Sequence, residues 1–228
     1  MNARDRLIVA LDVPKADAAR ALVDRLAGRV GMFKVGSQAF TAAGPSLVQE
    51  IVARGEKVFL DLKFHDIPNT VAGAVASASR LGVSFVDVHG LGGRAMVEAA
   101  VGALPAMATR LLAITILTSH DEDTLDEIGV NGTMLDSVRR LALLAKEAGA
   151  DGVVASPHEV ALIREACGSD FLIVTPGIRP EPDRFCIVWL ATCPSESPLM
   201  MACAPNDEAI SAALSSMGRV VKNCSAYD

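Results

Sequence analysis

Short apolar runs alternate with longer alanine-rich stretches along most of this chain. The apolar runs have the length of buried strands, and the stretches between them have helical periodicity. Seven predicted strands and six predicted helices in nearly strict alternation predict a parallel sheet, because each helix returns the chain to the edge where the next strand starts. The predicted strands are 7–13, 32–36, 57–63, 85–90, 111–119, 152–156 and 171–175, and the predicted helices are 15–28, 38–53, 69–80, 93–103, 133–148 and 158–166.

The spacing of these elements favours a closed barrel over an open sheet. A doubly wound sheet more often has a glycine-rich first turn, whereas the turn after the first strand here reads Asp12-Val13-Pro14-Lys15. A chain of 228 residues suits one barrel or two small domains, and one barrel is the simpler arrangement. We therefore expect an α/β fold, a (β/α)8 TIM barrel whose first seven strands lie within residues 1–180.

Composition excludes several classes of function. The formal net charge of −6 and the 4% aromatic content are those of an acidic protein that does not bind nucleic acid. No apolar run approaches the ~20 residues needed to cross a bilayer, and the N-terminus lacks the pattern of a signal peptide. We expect a cytoplasmic protein without a membrane partner. Its five cysteines contain no Cys-x-x-Cys pair, which indicates free thiols rather than disulfides.

The third predicted strand ends in a charged motif. Asp61 and Lys63 follow the apolar run 58–60, and Asp66 lies in the next turn. Alternate residues of a strand share a face, so Asp61 and Lys63 should project together from its C-terminal end. Barrel enzymes keep their chemistry at that end. Taken alone, however, Asp-x-Lys-x-x-Asp is more often a surface ion pair beside the start of a helix.

Other polar residues also fall near the C-terminal ends of predicted strands. Any one of them could be a capping or turn residue. Two lysines and three acids converging on one rim indicate a functional site, because buried charges need partners and such clusters concentrate at active sites. Besides the strand-three motif, the candidates are Asp12, Lys34, His89, Thr118, Ser119 and Thr175.

Five motifs in this order resemble orotidine 5′-phosphate decarboxylase of the bacterial type, from about residue 5 to residue 180. The resemblance implies conversion of orotidine 5′-monophosphate to uridine 5′-monophosphate and carbon dioxide, the last step of de novo pyrimidine nucleotide synthesis. It also implies that neither a metal nor an organic cofactor takes part. The motifs are Leu11-Asp12, Phe33-Lys34-Val35-Gly36, Asp61-x-Lys63-x-x-Asp66-Ile67-Pro68-Asn69-Thr70, Leu117-Thr118-Ser119 and Thr175-Pro176-Gly177-Ile178-Arg179-Pro180.

The resemblance implies catalytic roles for four charged residues. Lys63 would protonate C6 of the pyrimidine, while Asp61 and Asp66 hold its ammonium within a network that includes Lys34. The chemistry of the residue types agrees, because loss of carbon dioxide leaves a carbanion-like carbon with no adjacent electron sink. A fixed cation that can also donate a proton answers that need. Asp61 would also contact the substrate near its departing carboxylate.

The resemblance also assigns substrate-binding residues. Asp12 and Lys34 match positions that contact the ribose hydroxyls. Thr118 and Ser119 match a pair that hydrogen-bonds the pyrimidine ring, and Arg179 matches the arginine after the seventh strand. His89 recurs in the family, either at the site or behind it.

Two further family positions imply a partner subunit. In the family, residues matching Asp66 and Thr70 reach across a dimer interface and complete the neighbouring active site, with Thr70 contacting the ribose. The resemblance therefore implies a homodimer with composite active sites.

The resemblance ends after Pro180. The family continues with a phosphate-gripping loop, an eighth strand ending in Gly-Arg that binds the 5′-phosphate, and a closing helix. Residues 181–228 contain none of these, but hold four of the five cysteines and only Gly218 of the 18 glycines. So abrupt a change within a motif indicates a reading-frame change, and we treat 181–228 as an atypical C-terminal segment. The alternative is a divergent folded segment with a strand at 187–190 and a helix at 207–217.

Other functions remain open. Magnesium-dependent sugar-phosphate decarboxylases and aldolases share Asp-x-Lys-x-x-Asp, but typically follow the second acid with small residues rather than with Ile67 to Thr70. A truncated barrel of the decarboxylase family that has lost its activity is the non-enzyme alternative. The cysteines of the C-terminal segment are spaced too irregularly for a structural zinc site.

Overall fold

A computed structural model describes residues 4–105, 109–178 and 187–191. Eight strands and eight α-helices account for most of the described chain. The strands are β1 (Leu7–Ala10), β2 (Met32–Gly36), β3 (Val58–Phe64), β4 (Phe85–His89), β5 (Arg110–Ile114), β6 (Gly152–Val154), β7 (Leu172–Ile178) and β8 (Ile187–Ala191). The helices are α1 (Ala16–Leu26), α2 (Ser37–Ala43), α3 (Pro45–Ala53), α4 (Pro68–Ser79), α5 (Arg94–Gly102), α6 (Glu122–Glu127), α7 (Met134–Glu147) and α8 (Val160–Cys167).

The strands form one closed barrel in chain order. β1 to β7 are parallel, each pairing with the next. Helices cover the outside of this sheet, as a parallel sheet requires. The predicted α/β barrel is therefore confirmed.

Alternation along the strands divides the core into two parts. The larger cluster lies between strands and helices and includes Val9, Phe33 and Leu60. A smaller cluster lies inside the barrel, where the rings of Phe59 and Phe85 meet edge to face with centroids 6.1 Å apart. One step of two residues beyond this apolar layer, the same inward faces of β2, β3 and β4 carry charged residues. Because alternate side chains of a strand share a face, the apolar floor and the charged rim lie one above the other inside the barrel.

Several element boundaries differ from prediction. The single helix predicted at 38–53 is two helices, because Gly44 has φ of 67° and Pro45 starts the next helix. The polar stretch 120–132 contains α6, whose first turn is capped by Asp121 accepting from the Thr124 N–H at 2.9 Å. β1 and β5 end at Ala10 and Ile114, earlier than predicted, so the polar residues after them lie in loops.

The eighth strand runs antiparallel to both of its neighbours. It pairs with β1 on one side and with β7 on the other. Only residues 179–186 separate it from β7, whereas a parallel crossover needs a dozen or more residues. The strand expected at 187–190 is present, but it reverses the direction that a regular (β/α)8 barrel would have. The helix expected at 207–217 lies outside the described residues.

None of the helices in the described ranges combines the length and the apolar composition needed to cross a membrane.

Candidate active site

Lys34 lies at the centre of a charged cluster inside the barrel rim. Its side chain is 9% exposed, and its Nζ lies 3.0 Å from Asp61 Oδ2 and 3.2 Å from Asp12 Oδ1. Burial alone would lower the pKa of Lys34, but the two carboxylates outweigh burial and raise it above the usual range. A Cβ at Gly36 would lie 3.1 Å from Asp12 Oδ1 and 3.3 Å from Lys34 Nζ. The absence of a side chain at Gly36 therefore makes room for this pair.

Asp61 lies between two ammonium groups. Its Oδ2 faces Lys34 and its Oδ1 accepts a hydrogen bond from Lys63 Nζ. Burial would raise the pKa of Asp61, but Lys34, the neighbouring Asp87 carboxyl group and the charge of Lys63 together lower it well below the usual range. Asp61 is thus an ionised carboxylate at neutral pH, although only 8% of it is exposed.

The backbone of Lys63 is in the left-handed region, with φ of 50°. The pairing of β3 with β4 shifts register between Leu60 and Phe64, so Lys63 lies at an irregularity in the strand. Irregularities of this kind re-aim side chains beside active sites. The Lys63 side chain, 37% exposed, reaches the open end of the barrel while its ammonium stays on Asp61.

Asp87 belongs to the cluster, and sequence reasoning missed it. It is fully buried on β4, and its Oδ1 accepts the backbone N–H of Lys63 at 2.8 Å. Burial and the neighbouring Asp61 carboxylate raise its pKa well above the usual range. The available signal was an acid two positions before His89 in a strand predicted to be buried, where an acid needs a partner.

Two histidine rings form one wall of the rim. His65 and His89 stack with centroids 5.2 Å apart and an interplanar angle of 19°. His89 Nδ1 accepts the N–H of Leu91 at 3.3 Å. Burial, followed by the charges of His65, His120 and Lys63, lowers the pKa of His89 to about 4. His89 is therefore neutral at physiological pH and adds no cation to the cluster.

Asp66 and Thr70, both predicted to be site residues, do not join the cluster within one chain. Asp66 and Thr70 are exposed, and Asp66 Oδ1 accepts the N–H of Ile67 at 2.6 Å. The ion pairs of the described residues link Lys63 to Asp61 and not to Asp66. Ile67, between them, is 65% exposed.

The remaining predicted residues lie at different depths. Thr118 and Ser119 are exposed in the turn after β5, four and five positions beyond its last residue, Ile114. Thr175 was expected at the end of the seventh strand, but β7 continues to Ile178 and Thr175 is buried within it. Arg179 lies outside the described residues.

Comparison with known proteins assigns most of the chain to one group. The family model described as "Orotidine 5'-phosphate decarboxylase / HUMPS family" matches residues 5–185. Orotidine 5'-phosphate decarboxylase of Moorella thermoacetica is 54% identical over 188 residues, which cover 79% of this chain and 75% of the relative. That of Syntrophotalea carbinolica is 56% identical over 187 residues, with coverage of 79% and 77%.

Solved structures agree. The crystal structure of orotidine 5'-phosphate decarboxylase from Lactobacillus acidophilus superposes with a TM-score of 0.71 at 41% identity, covering 76% of this chain and 81% of that one. An uncharacterized conserved protein from Geobacillus kaustophilus gives the same TM-score at 43% identity, covering 74% and 81%. These matches confirm the resemblance that the five motifs indicated.

The burial of Asp61 generates a stability prediction. Lys34→Met keeps much of the side-chain volume but leaves Asp61 with one cation fewer, which should destabilise the fold by about 3–5 kcal/mol at pH 7. The depressed pKa of Asp61 stabilises the fold above the ~3.9 of an unfolded aspartate, and this contribution is lost as pH falls through the folded pKa. In the variant, burial acts on Asp61 with one cation fewer and raises its pKa, so Asp61 takes up a proton at a higher pH than in the parent and the deficit shrinks in acid.

Urea unfolding at pH 7 and at pH 4 measures this deficit. Lys57→Met is the matched control, because Lys57 is exposed and the same substitution there should change stability by no more than about 0.5 kcal/mol. Equal stabilities for the two variants at pH 7 would contradict the stabilising role of the buried Lys34–Asp61 pair.

Proposed function

Because this chain belongs to the orotidine 5′-phosphate decarboxylase / HUMPS family, we propose that it converts orotidine 5′-monophosphate to uridine 5′-monophosphate and carbon dioxide. The reaction is the last step of de novo pyrimidine nucleotide synthesis, and we place it in the cytoplasm. The observation that carries the proposal is the Asp61 carboxylate held between the ammonium groups of Lys34 and Lys63 at the open end of the barrel. That arrangement supplies a fixed cation and a proton where the reaction needs both.

The proposed mechanism follows from the charge that develops on the substrate. The bond between C6 and the carboxylate breaks, its electron pair stays on C6, and carbon dioxide leaves. The Lys63 ammonium stabilises this charge and donates a proton to C6, after which solvent reprotonates the amine. Asp61 holds the ammonium in place before the reaction starts, so little reorganisation is needed when charge develops. Asp61 also faces the departing carboxylate, where repulsion between like charges favours its loss.

The substrate-binding residues follow the same geometry. Asp12 has a half-exposed carboxylate beside Lys34, which suits both residues to bind the ribose hydroxyls. Thr118 and Ser119 are exposed after β5, where their hydroxyls can reach a pyrimidine ring. Arg179 is assigned to the substrate on the resemblance alone.

We also propose that the functional unit is a homodimer with composite active sites. Asp66 and Thr70 are exposed around Ile67, an apolar side chain that a partner subunit would cover. The position of Asp66, outside the cluster of its own chain, supports a role in the site of the neighbouring chain. Each site would then combine Lys63 from one subunit with Asp66 from the other.

We propose that the C-terminal segment 181–228 is the product of a reading-frame change. The family match ends at residue 185, and 43 residues of the chain follow it. The antiparallel direction of β8 further supports this proposal, because a helix–strand step of the family would place a parallel strand there. These two observations also favour the second candidate, a barrel of this family that lacks a phosphate grip and has little activity.

Lys63→Ala tests the proposed chemistry. The variant should lower decarboxylation by at least the ~10²–10⁴-fold expected for loss of a general acid, while nucleotide binding remains measurable. The assay is the absorbance loss of orotidine 5′-monophosphate, run with and without a chelator in a chain whose segment 181–228 is replaced by a family segment. Lys57→Ala is the control on an exposed lysine. Retention of more than about a tenth of the parent activity by Lys63→Ala would reject the role of Lys63.

Mixing two inactive chains tests the composite site. Lys63→Ala and Asp66→Asn homodimers should each be inactive, because each lacks one essential residue in both sites. Subunit exchange would create one site per hybrid dimer with both residues intact, so partial activity should return. If exchange is demonstrated and no activity returns, the composite site is wrong.

Replacement of the segment 181–228 tests its assignment. The chain as written should have little decarboxylase activity, because contacts with the remote phosphate help to stabilise the transition state. A family-type loop, Gly-Arg strand and closing helix in place of 181–228 should restore that activity. A fully active unmodified chain would contradict the frame-change proposal. The DNA around codon 181 offers an independent control, since another frame should encode the missing strand.

A further inference from the structure

Lys63 adopts a backbone conformation that its surroundings must hold. Among the described residues it is the one non-glycine with positive φ, at 50°. L-residues with a side chain adopt this region rarely, and such strain persists where the neighbouring structure fixes it. The register shift between Leu60 and Phe64 takes Lys63 out of the regular ladder between β3 and β4. Its N–H therefore needs a partner other than the next strand.

Asp87 is that partner. Its Oδ1 accepts the Lys63 N–H at 2.8 Å from the middle of β4, in a position with no exposure to solvent. A buried acceptor that satisfies an irregular backbone N–H fixes the local conformation, because releasing the N–H would leave both groups unpaired. The contact thus links the Asp87 side chain of β4 to the main chain of the residue that carries the ammonium.

The surroundings of Asp87 Oδ2 indicate that this oxygen carries a proton. Asp87 Oδ2 is buried and has no hydrogen-bond donor among the described residues, while the Asp61 carboxylate neighbours the Asp87 side chain. Two cations, Lys34 and Lys63, face three carboxyl groups, those of Asp12, Asp61 and Asp87. A proton on Asp87 balances the charges of the cluster. It also converts a pair of repelling acceptors into a hydrogen bond.

We propose that Asp87 is a positioning residue for Lys63, present as a neutral carboxylic acid whose Oδ1 accepts the Lys63 N–H and whose Oδ2–H donates to Asp61. The direction of its pKa, raised by burial and by Asp61, agrees with this state. Asp87 then acts at both ends of Lys63, since it fixes the backbone directly and the ammonium through Asp61. The inference rests on the proposed function only in naming the reaction that Lys63 serves.

The test compares Asp87→Asn with Asp87→Leu in the full 228-residue chain. Asparagine reproduces the shape, the acceptor and the donor of a neutral aspartic acid, whereas leucine has the volume and neither polar group. Thr109→Val is the matched control. Thr109 is buried at the opposite end of the barrel and donates to the Val83 carbonyl at 2.8 Å, so the control also loses one buried hydrogen bond.

Two measurements on these chains need no catalytic activity. Infrared difference spectra at pH 7 should show a carboxylic-acid carbonyl band in the parent and in Thr109→Val that both Asp87 variants lack. Hydrogen exchange of the Lys63 amide should stay slow in Asp87→Asn and become about tenfold faster in Asp87→Leu, as expected for the loss of one buried hydrogen bond. Absence of the acid band, or fast exchange of this amide in Asp87→Asn, overturns the proposal even if Asp87→Leu does not fold.

Activity of the chain with a replaced C-terminal segment separates this inference from the proposed function. Asp87→Asn should keep kcat near that of the parent, and Asp87→Leu should lower it by about 10²-fold, with a small change in KM, because Lys63 is displaced. If band and amide behave as expected while no variant decarboxylates orotidine 5′-monophosphate, the position of Asp87 stands and the proposed function falls. Equal kcat for the two Asp87 variants would overturn the positioning role.

Discussion

The site depends on the burial of the Asp61 carboxylate between Lys34 and Lys63. A carboxylate almost removed from water is stable only with good partners, and removal of one partner is strongly destabilising. The register of β2 and β3 sets Gly36 opposite Asp61, which leaves space for the Lys34 ammonium between Asp12 and Asp61. The pairing that makes this rim compatible with folding also holds the Lys63 ammonium on Asp61. Under the proposed mechanism, stability and catalysis therefore share one set of contacts.

Closure of the barrel and construction of the site involve different parts of the chain. The charged cluster comes from β2, β3 and β4 and from the loop after β1, all of which lie within the family match. β8 pairs with edges of β1 and β7 that would otherwise be exposed, which protects both strands from pairing with other chains. Such pairing requires backbone groups and a suitable length, and it does not depend on direction or on a Gly-Arg sequence. A segment unrelated to the family can thus pair with both strand edges without supplying the family's phosphate-binding groups.

Sequence reasoning reached the fold and the central motif because both depend on periodicity. Alternation with period two placed Asp61 and Lys63 on one face, the end of the second predicted strand placed Lys34 on the same rim, and the order of strands and helices required a parallel sheet. It missed Asp87, because a single acid in an apolar strand has meaning only when its neighbour across the sheet is known. The φ of Lys63 and the direction of β8 were also unreadable, since a register shift and a short connection act through three-dimensional geometry. Thr175 was misplaced because β7 extends further than its apolar run.

The ion pairs of the buried Asp61 carboxylate can be measured by titration of Asp61 and Lys34 in the full chain. The side-chain carbon resonances of both residues report their charge across the pH range. We expect Asp61 to stay ionised well below the ~3.9 of an ordinary aspartate and Lys34 to stay charged above the ~10.4 of an ordinary lysine. In Lys34→Met, the titration of Asp61 should move upward. An Asp61 that titrates at its ordinary pKa, unchanged by Lys34→Met, would contradict the account.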